Sequence, residues 1–148
     1  MNQTVAVVIL NWNGLDLLKK FLPEVVKYSE EANVYVADNA STDTSVSFVE
    51  ANFPEVQIIQ NKINGGYAKG YNDALAGLSK DIFILLNSDV QVTPSWILPI
   101  KEIFEKDTNV AAVQPKILDY KKRTHFEYAG AAGGFIDKFG YPYCRGRI

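Results

Sequence analysis

Cysteine is almost absent from this chain of 148 residues: Cys144 is the single one, so no internal disulfide can form. That fits a reducing compartment. Histidine is as scarce, and His125 has no spaced Cys or His partner for a zinc site. No apolar run approaches the ~20 residues that a membrane-spanning helix needs. The start, Met1-Asn2-Gln3-Thr4, lacks a basic n-region, and Val5 to Leu10 is too short for a signal-peptide core. The expected location is therefore the cytoplasm. Charge of one sign is not in excess either. Fifteen Lys and Arg face seventeen Asp and Glu, for a net charge of -2, so no cationic field points to nucleic acid as a partner. Basic residues do gather late, at Lys121, Lys122, Arg123, Arg145 and Arg147, and read as a solvated loop and tail. Peripheral contact with the cytoplasmic face of a membrane needs no spanning helix and stays open.

What is present is an ordinary globular composition, 47% hydrophobic and 22% charged, which excludes a disordered chain. Strand and helix patterns alternate. Val5–Leu10 is a continuous β-branched run, as in a strand buried on both faces. Leu15, Leu18, Phe21, Leu22 and Val25 recur at helical spacing, with Pro23 as an expected kink. Further strands are expected at Val34–Ala37, Val56–Ile59, Ile82–Leu86 and Ala111–Val113. Helices are expected after Asp43, over Tyr67–Leu78, and over Ser95–Lys106 with Thr93-Pro94 as its start. From about residue 117 the pattern loosens, with Thr124–Tyr128 as a further strand candidate. Repeated β-α-β units predict a single α/β domain over 1–148, with a mostly parallel sheet covered by helices on both faces.

In such sheets ligands bind beyond the carboxyl ends of the strands. Asn11, Asn13, Asp38, Asn39, Asn87, Ser88 and Asp89 all fall at those ends. Asn11-Trp12-Asn13-Gly14 can turn tightly, because Asn and Gly tolerate left-handed backbone. By itself it is an ordinary βα turn. Asp38 is placed to accept hydrogen bonds from a base or ribose, whereas Asn39 to Asp43 also suit a helix cap. Gly65 and Gly66 open a helix, where backbone can approach a diphosphate and the helix terminus favours negative charge. Tyr71-Asn72 stand where a Walker A loop would have Lys-Ser/Thr, so this is not that motif. Asn87-Ser88-Asp89 suits a turn, and its carboxylate also suits a hard divalent cation.

Taken in order, these four segments resemble the donor half of the family 2 glycosyltransferases, particularly their rhamnosyltransferase-like bacterial branch. The residues carrying the resemblance are Asn11 to Gly14, Asp38-Asn39-Ala40-Ser41-Thr42-Asp43, Asn64-Gly65-Gly66 through Asn72, and Asn87-Ser88-Asp89 in place of a D-x-D metal motif. The resemblance implies a three-layer, Rossmann-like GT-A fold, cut short on its C-terminal side. It also implies inverting transfer from a UDP- or dTDP-sugar to a glycan or lipid-linked acceptor. Asn11, Asn13, Asp38, Asn39, Gly65, Gly66, Asn72 and Asn87 would bind the donor, and Asp89 would hold Mg²⁺ or Mn²⁺. Asn87 replaces the first Asp of the metal motif, which lowers the charge of that site. The family's catalytic base is expected beyond the chain end, and none of Asp119, Glu127 and Asp137 is assigned to it. A non-catalytic nucleotide-sugar-binding module and a sugar nucleotidyltransferase are the alternatives. The latter lacks support because no Gly-rich basic loop follows the first strand. A homodimer is also compatible with a part-fold that leaves apolar surface uncovered.

Overall fold

The computed structural model describes residues 3–127 and 134–144. They group into two compact units, Met1–Glu105 and Lys106–Ile148. The first unit alternates strand and helix as β1 (Val5–Asn11), α1 (Leu15–Lys27), β2 (Asn33–Asp38), α2 (Ser45–Asn52), β3 (Gln57–Gln60), α3 (Gly66–Leu75), β4 (Ile82–Asn87) and α4 (Leu98–Lys106), whose last residue crosses into the second unit.

The four strands form one parallel sheet in the order β3-β2-β1-β4. β1 lies inside it with six of its seven residues buried, which is why its sequence is a solid apolar run. One face of the sheet carries Val5, Val7, Ile9, Val34 and Val36 against Leu18, Leu22 and Val25 of α1 and Val49 of α2. The other face carries Ala6, Val8, Tyr35 and Ala37 against Tyr71 and Ala74 of α3. The chain thus winds from β1 outward to β3 along one face and returns across the other to β4. The strand order reverses between β1 and β4, which opens a crevice at their carboxyl ends.

Three sequence expectations shift. Pro23 leaves α1 unbroken, since a proline removes one N–H and α1 keeps its buried face on either side of it. α4 starts at Leu98 rather than near Thr93, because Ser95 takes a left-handed φ of 59° and ends any helix there. Trp96 and Ile97 instead turn into the core, where Trp96 Nε1 donates to Ser29 Oγ at 3.2 Å. The carbonyl of Ile97 then accepts from Ile100 and Lys101, with Pro99 in the first turn where its missing N–H costs nothing. Ala111–Val113 is not a strand: Ala111 and Ala112 are exposed and no described strand pairs with the segment.

In the second unit the described residues hold a two-stranded antiparallel ribbon, β5 (Gly134–Ile136) and β6 (Pro142–Cys144), and one isolated bridge between Leu118 and Phe126. That bridge falls within the strand candidate at Thr124–Tyr128, whose last residue lies outside the described residues. Among the described residues no helix is long and apolar enough to cross a membrane.

Candidate functional site

The register fixes which side chains meet. Asn11 pairs with Asp38 across β1 and β2, Leu10 with Asn87 across β1 and β4, and Asp38 with Gln60 across β2 and β3. Asn11, Asp38 and Asn87 are the last residues of their strands rather than the first after them. The parallel sheet therefore delivers all three to one edge.

The centre of this edge is a hydrogen-bonded frame. Asn11 is 1% exposed, and its Nδ2 lies 3.0 Å from Asp38 Oδ1, 2.9 Å from Ser45 Oγ and 3.2 Å from Ser41 Oγ. The other oxygen of Asp38 accepts from the Ser41 N–H at 2.9 Å. Asn13 adopts the left-handed backbone expected of it, with φ 50°. Its Oδ1 accepts from the Thr42 and Asp43 N–H groups at 2.7 and 3.2 Å, while Ser41 Oγ accepts from the Asn13 N–H at 2.9 Å. The loops after β1 and β2 are thus laced to each other. Asp43 closes the lacing by accepting from Leu15 N–H, at the start of α1, and from Ser45 N–H and Oγ, at the start of α2. Partial burial works to raise the pKa of Asp43, but the hydrogen bonds from Ser45 and Leu15 outweigh it and hold its carboxyl below the usual range.

A second frame ties β2 to α3. Asn39 is 3% exposed. Its Nδ2 donates to Asn64 Oδ1 at 2.8 Å and to the Gly66 carbonyl at 3.3 Å, and its Oδ1 accepts from Asn61 Nδ2 at 3.2 Å. Asn61 also donates to the Gly70 carbonyl at 3.0 Å, and Asn64 Oδ1 accepts the Gly66 N–H at 2.9 Å. Gly70 must lack a side chain: a Cβ there would stand 2.9 Å from Leu10 Cδ1 and 3.1 Å from both amide atoms of Asn39. Gly66 has φ 76° and nothing within 4 Å of its Cβ position, so it is needed for conformation and leaves open space above it. At Gly65 a Cβ would meet only the flexible Lys69 side chain. Tyr71 anchors α3 from below by donating its hydroxyl to the Leu86 carbonyl at 3.0 Å, and burial pushes its phenol pKa well up.

On the β4 side, Asn87 ends the strand and Ser88-Asp89 turn away from it, with Asn87 and Asp89 exposed. Gly14 makes this side of the crevice narrow: a Cβ at Gly14 would come within 2.4 Å of Asn11 Oδ1 and 3.9 Å of Ser88 Oγ. Asn11 Oδ1 is itself buried without a hydrogen-bond partner. Among the described residues no three His, Cys, Asp or Glu cluster as a metal cage. A cation here would rest on Asp89 and Asn87, with oxygens of a ligand completing its shell.

Of the residues the sequence singled out, Asn11, Asn13, Asp38, Asn39, Gly65 and Gly66 are brought into these connected frames. Asn87 adjoins them through Leu10, and Asp89 lies in the turn that follows. Asn72 is exposed on α3 and joins none of these bonds. Ser41, Ser45, Asn61, Asn64 and Gly70 carry the frames and were not singled out. Their signal was small and polar residues directly after strands, which turn chemistry alone also explains.

The family profile described as "Glycosyl transferase family 2" matches residues 6–143. A curated relative from Haemophilus influenzae, described as an uncharacterized glycosyltransferase, is 26% identical over 113 residues, covering 74% of this chain and 35% of its own length. Among solved structures, the mannosyltransferase PcManGT of Pyrobaculum calidifontis, in complex with GDP-Man and Mn²⁺, aligns with a TM-score of 0.63 at 21% identity over 76% of this chain and 36% of that one. S. aureus TarS 1–349 in complex with UDP-GlcNAc aligns with a TM-score of 0.62 at 18% identity, over 78% of this chain and 38% of that one. The chain therefore spans between a third and two-fifths of the length of these relatives. At such identities the structures speak for the fold, a parallel α/β sheet of the GT-A type, of which the chain makes part. The profile covers nearly the whole sequence, through both strand-end frames and the β4 turn, and the chain belongs to glycosyl transferase family 2.

Proposed function

We propose that this chain forms the donor-binding part of an inverting glycosyltransferase, which takes a nucleoside diphosphate sugar at the carboxyl edge of its sheet. The observation that carries the reading is the register that aligns Asn11, Asp38 and Asn87 at one edge, beside the glycine-opened start of α3. Asp38 has each carboxylate oxygen engaged once, and each retains a lone pair for a base N–H or ribose hydroxyl. Asn11 and Asn39, buried and bonded within the protein, hold Asp38 and the start of α3 in place. Asn13 shapes the nucleotide loop. The open space above Gly66 and the unpaired N–H groups of the first α3 turn suit the diphosphate.

One carboxylate, one amide oxygen and a diphosphate form an oxygen set that suits Mg²⁺ or Mn²⁺, which commonly take one or two protein carboxylates and fill the rest with phosphate oxygens and water. Asp89, with Asn87, would hold that cation, whose contribution is to offset negative charge on the departing diphosphate. The acceptor, a glycan or lipid-linked hydroxyl, attacks the anomeric carbon from the side opposite the diphosphate once a base has taken its proton. No carboxylate of this chain is assigned as that base. The rhamnosyltransferase-like branch and a UDP- or dTDP-linked donor are part of the proposal.

The test uses Trp12, which is 59% exposed next to Asn11 and Asn13. UDP or dTDP is expected to change its fluorescence saturably, and Asp38→Asn is expected to weaken binding roughly tenfold, the worth of about one charged hydrogen bond. Saturation at the same concentration in Asp38→Asn would remove Asp38 from the donor site.

A further inference from the structure

The ribbon formed by β5 and β6 is ordered in a way that leaves its apolar side chains in water. Asp137 fixes the turn: its Oδ1 accepts from the Phe139 and Tyr141 N–H groups at 2.8 and 3.0 Å. Its backbone N–H donates to the Tyr141 carbonyl and its carbonyl accepts from Gly140, both at 3.0 Å. Gly140 supplies the left-handed φ of 87° that the turn needs. Yet Ile136, Phe139 and Tyr141 at this end are 74%, 75% and 70% exposed. Phe135 and Tyr143 pair across the strands with ring centroids 5.4 Å apart and are still about half exposed.

The apolar groups lie on both sides of the ribbon. Side chains alternate along a strand, so Phe135 and Tyr143 share one face, Ile136 and Pro142 share the other, and Phe139 and Tyr141 extend from the end. A folded partner packed on the ribbon would cover one face. Immersion of the tip covers both faces and the turn together. The charge is placed to match. Residues 106–148 contain eight Lys and Arg against four Asp and Glu, whereas residues 1–105 contain seven against thirteen. The segment holding the ribbon is thus cationic within an anionic chain. Lys138 stands in the turn itself, its ammonium 4.9 Å from the Phe139 ring centroid. An aromatic tip with a lysine beside it and tyrosine hydroxyls behind it is the composition that sits at the headgroup level of a bilayer.

We propose that the hairpin Gly134–Cys144 docks the protein on an anionic lipid surface, with Ile136, Phe139 and Tyr141 entering the interface and Lys138 meeting the headgroups. This is independent of donor binding and survives its failure. The test is co-sedimentation of the chain with vesicles of phosphatidylcholine alone and of equal parts phosphatidylcholine and phosphatidylglycerol. Binding is expected on the anionic vesicles, to weaken with added salt, and to be small on the neutral ones. Phe139→Ser with Tyr141→Ser is expected to lower partitioning at least about tenfold, and Lys138→Ala about fivefold. The turn bonds run from Asp137 to backbone groups, so both variants keep them, and circular dichroism checks that the fold is retained. Three results would each overturn the proposal. They are no binding of the wild-type chain to anionic vesicles, equal binding by the folded double variant, or a wild-type dimer in gel filtration that the double variant converts to monomer without loss of lipid binding.

Discussion

Replacing Asn11 by Asp alters a buried side chain almost without changing its shape, and it tests the frame on which the site is built. The amide nitrogen lies 3.0 Å from Asp38 Oδ1 in a position 1% exposed. The substitution exchanges that donor for a carboxylate oxygen facing another. Two acids this close share one proton rather than both ionise. If the shared proton is held about three units more tightly than in the unfolded chain, the cost of full ionisation is ~4 kcal/mol at about 1.36 kcal/mol per unit. Ser41 and Ser45 can turn their hydroxyls to donate to the new carboxylate, which offsets roughly 1 kcal/mol each. A net loss of about 2 kcal/mol is expected at neutral pH, or about 1 M in the urea midpoint. The sign with pH is definite. The folded pair has a raised pKa, so the penalty is absent below the unfolded carboxylate value near 3.9 and grows as pH rises through the folded one. Urea unfolding of both proteins near pH 4 and near pH 7 gives the comparison. Equal stability at neutral pH, or a loss that ignores pH, would refute the frame as described.

Gly70→Ala forces a methyl against Leu10 and Asn39 and is expected to cost about 1–3 kcal/mol, whereas Gly77→Ala, with nothing within 4 Å, should stay within about 0.5 kcal/mol; thermal unfolding of the pair separates packing from backbone effects. Asp43→Asn weakens the bonds that start α1 and α2 and should cost about 1 kcal/mol, the worth of a helix cap. Because the folded pKa of Asp43 is lowered, that contribution is present above the unfolded value and is lost as pH falls through the folded one. The gap between wild type and Asp43→Asn in chemical unfolding should therefore close in acid, and a constant gap would contradict the assignment.

Much of the fold was legible because its signals are physical and local. β1 is buried on both faces, so its run of β-branched residues could be nothing shorter or more exposed. Strand ends in parallel sheets must pass from buried backbone to turns, which is why Asn11, Asp38 and Asn87 stood out. Their division of labour was not legible. Asn39 and Asp38 are neighbours in sequence, yet Asn39 spends its amide on Asn61, Asn64 and Gly66, all beyond β3, and no local pattern reveals such a bond. Asn72 was drawn in by motif alone, and its helix position leaves it outside the frames. The start of α4 was misplaced because Thr93-Pro94 is a good helix opening, while the burial of Ile97 that delays it is a tertiary effect. Ala111–Val113 shows the converse, a β-branched end with no neighbour to pair it. The ribbon of β5 and β6 was hidden by its glycines and proline, which read as irregular chain until the turn at Asp137 draws the two short strands together.

The most direct measurement is calorimetric titration of the folded chain with UDP and with dTDP, each with and without Mn²⁺, repeated on Asp89→Ala. Asp89 is exposed, so the substitution should leave stability within about 0.5 kcal/mol and isolate its role toward ligand. Binding of one nucleotide that strengthens with Mn²⁺, and loses that gain in Asp89→Ala, is the predicted result. Binding of neither nucleotide, or an equal Mn²⁺ gain in wild type and Asp89→Ala, would contradict a donor site at this edge of the sheet.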